Sequence, residues 1–239
     1  MSRMIELSQE SRLKNLAHRG RQLLARNDHR RPTTDTWYRF QNADDEPDTT
    51  KVYVYDYIGG YFGVNASDFL ADLDKVETST INLHINSGGG DVFDAVAIYS
   101  GLRNHAATVN VAIDGIAASA ASFIAMAGDT VGIEKPARMM IHDASGLVIG
   151  NASDMRDMAE LLDDVSDTIA EIYADRAGET TATWRGRMKS ETWYSAQQAV
   201  DAKLADSIIG NTPAEATNRD RISQQIRARA RARMRGSAA

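Results

Sequence analysis

The chain has 239 residues, 43% hydrophobic and 25% charged, which suits one sizeable folded domain with extensions. It contains no cysteine, which excludes disulfides, thiolate metal sites and a cysteine nucleophile. No run of eighteen apolar residues occurs, so no membrane span is expected, and the net charge of −6 hides two basic ends around an acidic body. Residues 1–31 hold eight Lys/Arg against three Asp/Glu, and residues 219–239 hold seven Arg against one Asp. Such ends are either solvated tails or segments that meet an acidic partner. The opening residues lack the apolar core of a secretory signal, so an intracellular protein is expected.

Ile5 to Arg26 has helical spacing, with leucines set among charges. A turn-rich break around Pro32 and the polar stretch QNADDEPDTT follow and read as linker, with the main domain starting between Trp37 and Lys51. KVYVYDYIGG reads as a strand, NASDFLADLDKV as a helix capped by Ser or Asp, and INLHINS as an alternating strand. The turn NSGGGD then leads into the helix VFDAVAIYSGLRNH. TVNVAID is a strand, and GIAASAASFIAMAG reads as a small-residue helix. DTVGIEKPA and RMMIHDA are short strand-like pieces. Asn151 to Ala177 is a long helix capped by NASD, and SAQQAVDAKLADSIIG gives a last short helix and strand. Strands and helices alternate, as in an α/β domain with a largely parallel sheet.

Three features carry possible chemistry. NSGGGD, Asn86 to Asp91, places flexible backbone at a helix start, where a phosphate, a carboxylate or an oxyanion would be welcome, and a tight turn would look the same. Ser119 sits among small residues at the start of a helix, which suits either close packing or a nucleophile with room for substrate. His142 ends an apolar strand-like run, while His18 and His29 lie in the basic N-terminal stretch, His105 ends a helix and His84 alternates to a strand's other face. The order matters more than any one feature. A glycine turn, a serine and a histidine within one domain are the parts of an acyl-transfer site: oxyanion hole, nucleophile and base. Ala121, Ser122 and the residues up to Gly128 are assigned to packing.

These residues resemble the proteolytic subunit of the Clp (caseinolytic) proteases over Val52 to Gly210. The family motif INSPGG is similar to Ile85–Gly90, with Gly88 in place of proline, and G-x-A-A-S-M is similar to Gly115–Ala120. MIH, followed by a glycine-containing strand and G-x-A-x-D, is similar to Met140–Asp154. The closing S-A-x-x-A-V-x-x-x-L-x-D-S-I is similar to Ser195–Ile208. GDVFDAVAIYSGL, IDGIAASAASFIAMAG and SETW resemble the phage and prophage branch, associated with head maturation.

The resemblance implies an α/β, crotonase-like β-β-α superhelix with a long handle helix, assembled in stacked, heptamer-type homo-oligomeric rings. It implies Ser119 as nucleophile, His142 as base, and the Gly90 and Ala120 N–H groups as oxyanion hole. Gly89 and a strand through Ser145, Gly146 and Leu147 would hold extended substrate by β-pairing. For the acid behind His142, Asp143 should point to the opposite face, and Glu191 in KSETW is the acid nearest the expected place.

The organisation expected is a basic helical extension and linker at 1–45, the protease domain at 46–211 and an Arg-rich tail at 212–239. No cofactor or metal is expected, no membrane, and no nucleic-acid partner. The implied substrates are capsid or scaffold precursors, cut inside the phage prohead in the bacterial host cytoplasm. Two rivals keep the fold: a crotonase-like acyl-CoA enzyme, and a catalytically degenerate ring-forming scaffold.

Overall fold

The computed structural model describes residues 36–42, 46, 48–59 and 65–210. The basic N-terminal helix and the Arg-rich tail expected from the sequence lie outside these residues. Eight strands form one sheet: β1 (Tyr38–Asn42), β2 (Thr49–Tyr55), β3 (Thr80–Ser87), β4 (Thr108–Ala118), β5 (Thr130–Glu134), β6 (Arg138–Ile141), β7 (Thr192–Ser195) and β8 (Ser207–Ile209). Six described helices accompany it: α1 (Ala66–Leu73), α2 (Val92–Asn104), α3 (Ala120–Ala125), α4 (Ala152–Ala177), α5 (Thr181–Lys189) and α6 (Ala196–Asp201).

The main path runs β1-β2-β3-β4-β5-β8 and is parallel except for the β1–β2 hairpin. Its central strands alternate over their middle residues. Val52 and Val54, Ile81, Leu83 and Ile85, and Val109, Val111 and Ile113 are buried, while their neighbours are not. The buried face packs in one core with Phe69 and Leu73 of α1, Ile98 and Leu102 of α2, and Phe123 and Ile124 of α3. The other face is polar and aromatic: His84 is stacked on Tyr53 at 4.9 Å, and its Nδ1 lies 3.0 Å from Asp114.

β4 is the pivot of the fold. Asn110–Ile113 pairs with β5, and Ile116–Ala118 pairs with β6. β6 in turn pairs antiparallel with β7. Changing partner halfway along one strand lets β6 and β7 branch from the main path of the sheet, and Ser119 stands where β4 ends.

Several expectations are corrected. GIAASAASFIAMAG is not one helix: Gly115–Ala118 completes β4, and only Ala120–Ala125 is helical. Strand partners on both sides, Ser87 with Ala117 and Met140 with Ala118, satisfy the backbone and override a helix-favouring composition. Ser145–Gly150 is not a strand, because no described strand lies beside it. Ala144 N–H instead donates to Ser166 Oγ of α4 at 2.9 Å. Within the stretch expected as linker, Gln41 and Asn42 belong to β1 and pair with Lys51 and Thr50 of β2, and the cap of α1 is Asn65, whose side chain accepts from Ser67 N–H at 3.0 Å. β1, α5 and β7 were not read from the sequence.

α4 has 26 residues, about 39 Å of helix. Asn151 and Asp154 form a capping box at its start. Its buried residues begin only at Ser166, so its first half projects from the body. No described helix is long and apolar enough to cross a membrane.

Candidate active site

Ser119 joins β4 to α3 with φ 53° and ψ −125°, a conformation that L-residues rarely adopt and that costs about 1–3 kcal/mol. The surroundings hold it there. Its N–H donates to Met140 O of β6 at 2.9 Å, and its C=O accepts from Ser122 N–H at 2.9 Å. The tight turn pushes Oγ out of the fold, leaving Ser119 half-buried, and Oγ lies 2.7 Å from His142 Nε2. With the ring proton on Nδ1, Nε2 accepts from the hydroxyl, which is the geometry of a serine and its base.

The glycine turn presses against this corner. Gly89 has φ +101°, and a Cβ there would come within 2.7 Å of Ser119 Cβ and 3.0 Å of Ala120 N. A Cβ at Gly90 would fall 1.9 Å from Ile58 O, whereas one at Gly88 would meet nothing. Only the last two glycines of the run are demanded by close approach. Ile58 N–H donates to Gly89 O at 2.9 Å and Asp91 N–H donates to Ile58 O at 2.8 Å. In such a parallel bridge the middle residue's own N–H points the other way. Gly90 N–H is therefore aimed towards the β4 side, where Ser119 lies. Ala120 N–H, the first of α3, has no partner within its own helix.

The two acids near His142 behave differently. Asp143 turns away, as its place one residue on predicts. Its Oδ1 sits 2.7 Å from Arg185 Nη1, an ion pair outside hydrogen-bond alignment. Arg185, on α5, is buried and also meets Asp163 and Asp167 of α4, each at 2.7 Å. One guanidinium thus ties the segment after His142 to the long helix. Glu191 is exposed, has φ +45°, and accepts from Trp193 Nε1 at 3.1 Å. The β6–β7 ladder ends at Ile141–Thr192, so its next step would set His142 opposite Glu191. Among the described residues no carboxylate bonds to His142.

Of the residues expected to hold substrate, Gly89 lies against Ser119. Ser145, Gly146 and Leu147 form an exposed, unpaired stretch, with Gly146 beside Leu162 and Met158 of α4. Sequence reasoning passed over Arg185, because no local spacing marks an arginine on one helix that gathers acids from another helix and a loop. It also left Ser122 as packing, although its hydroxyl lies 2.5 Å from Ser119 O.

The chain was compared with known proteins. The model of the Clp protease family matches residues 63–212. Similar curated proteins include the ATP-dependent Clp protease proteolytic subunit 2 of Bifidobacterium longum, 32% identical over 53% of this chain and 62% of that protein. The ATP-dependent Clp protease proteolytic subunit of Pleurastrum terricola is 34% identical over 53% of this chain and 65% of its own. Subunit 2 of Corynebacterium diphtheriae is 30% identical over 59% of this chain and 72% of its own. The chain thus spans a little under two thirds of the length of the first two relatives.

Proposed function

We propose, because this chain belongs to the Clp protease family, that it is a serine-type endopeptidase working through an acyl-enzyme. The observation that carries this reading is the 2.7 Å contact between Ser119 Oγ and His142 Nε2 beside a glycine turn. Ser119 attacks the scissile carbonyl while His142 Nε2 takes its proton. The tetrahedral oxyanion is held by the N–H groups of Gly90 and Ala120. His142 then protonates the leaving amine, and water, activated by the same imidazole, releases the acyl group. Glu191 is the acid that would orient His142. An acyl-CoA enzyme on the same fold would have no use for the serine–histidine contact.

The assembly proposed is a stacked, heptamer-type ring with a basic extension ahead of Trp37, since β1 within the expected 1–45 segment belongs to the main sheet, and an Arg-rich tail at 212–239. Its support is the projecting half of α4 and the neighbouring loop, where Leu147 is 75% and Ile149 77% exposed, with Met155 and Leu161 also uncovered. Extended substrate would lie along the unpaired Ser145–Leu147 stretch beside Gly89.

The biological reading proposed is maturation of a phage head, by cleavage of capsid or scaffold precursors inside the prohead in the host cytoplasm. Its support is the resemblance of GDVFDAVAIYSGL, IDGIAASAASFIAMAG and SETW to the phage branch. The test is co-expression with the neighbouring capsid and scaffold genes, wild type against Ser119→Ala, read by mass spectrometry. Shortened precursors in wild type alone are expected, and unchanged masses in wild type would refute the maturation role.

A further inference from the structure

Ser122 is fully buried one turn after Ser119, and it is not a filler. Its Oγ lies 2.5 Å from Ser119 O and 2.7 Å from the hydroxyl of Tyr173, which is itself buried in α4. A serine hydroxyl has one proton to give. Because Ser119 O can only accept, Ser122 must spend that proton on it and accept from Tyr173. The chain of bonds therefore runs one way, from Tyr173 O–H to Ser122 Oγ–H to Ser119 O. Together with Ser122 N–H, this gives the Ser119 carbonyl two donors, while Met140 O holds the Ser119 N–H on the other side. The two peptide groups that flank the strained Ser119 are thus fixed, one by β6 and one by α3 and α4.

We propose that Ser122 and Tyr173 are positioning residues that lock the left-handed backbone of Ser119, and so aim Oγ at His142 and keep Ala120 N–H turned to the site. This rests on the reading of Ser119 as nucleophile. It adds that the long helix α4 controls the reactivity of that serine through one buried tyrosine hydroxyl. Arg185 is a separate tie between α4 and the site, acting on the loop after His142 and not on Ser119.

The test uses full-length Ser122→Ala, Tyr173→Phe and the double variant. Three quantities are read: the thermal midpoint, hydrogen exchange of the 115–125 segment, and the rate of fluorophosphonate labelling at Ser119. Ser122→Ala alone leaves the Tyr173 hydroxyl buried without a partner, so its midpoint falls. The double variant removes both polar groups, so its midpoint recovers most of that loss. Its labelling nevertheless stays about tenfold slower than wild type, the worth of one hydrogen bond to a fixed backbone. Its exchange in 115–125 also stays faster. A merely structural pair would give a labelling rate that recovers with the midpoint, and that result overturns the proposal. Unchanged exchange in the double variant overturns it as well. If wild type itself takes no label, the nucleophile reading falls, and exchange alone still decides whether the lock exists.

Discussion

Glu191 directly precedes β7 and His142 directly follows β6, each one residue beyond the last pair of their ladder, Ile141–Thr192, and the Glu191 carboxylate is turned to Trp193. To act as the orienting acid, the Glu191 carboxylate would have to leave the indole and reach the imidazole. Glu191→Gln is therefore expected to slow acylation by roughly 10³–10⁴-fold, the cost of losing the orienting acid in a serine triad. Single-turnover cleavage rates check this. Rates equal to wild type would remove Glu191 and leave a serine–histidine dyad.

The glycine run makes a contrast within three residues. Gly89→Ala sets a methyl group against Ser119 at a positive φ, so it should cost more than about 1 kcal/mol and reduce activity sharply. Gly88→Ala meets nothing and should stay within about 0.5 kcal/mol of wild type. Urea denaturation and peptide hydrolysis on both variants separate the two. Equal behaviour would contradict the close packing of Gly89 on the site.

Arg185→Met leaves Asp143 beside His142 without its cation. A loss of about 2–3 kcal/mol is expected, less than for a fully buried pair because Asp143 keeps part of its solvent contact. Asp163 and Asp167 are largely exposed and should add little. Arg185→Lys should not restore the loss, since one ammonium cannot reach three carboxylates. Denaturant midpoints of the two variants check both statements.

Burial holds the Tyr173 phenol well above its ordinary pKa of 10.0. Above that value the unfolded chain loses this proton and the folded chain keeps it. The contribution is whole below pH 10 and is lost as pH rises beyond it. Stability should fall on the alkaline side, and Tyr173→Phe should flatten that fall. Denaturation at pH 8 to 11 measures the slope, and identical slopes would contradict the buried, protonated phenol.

The sequence made most of this site legible because its parts are local. The glycine turn follows a strand that alternation reveals, His142 ends a short apolar run, Ser119 stands out by its small neighbours and its place between the two, and the cap of α4 is readable from Asn151. Other parts were hidden because they depend on pairing across the chain. Gly115–Ala118 reads as helix by composition and becomes strand only because β6 lies beside it. β7 is four residues long, too short to show alternation, yet it holds Trp193, whose indole binds the Glu191 carboxylate. Ser122 and Arg185 are ordinary residues until Tyr173 and Asp143 are brought to them by tertiary structure.

Ser119 is proposed as a nucleophile activated by His142. Labelling the full-length chain with a fluorophosphonate, then locating the adduct by peptide mass spectrometry, tests it most directly. A single adduct on Ser119, absent in Ser119→Ala and His142→Ala, is the expected result. No adduct in wild type, or an adduct that persists in Ser119→Ala, would contradict it.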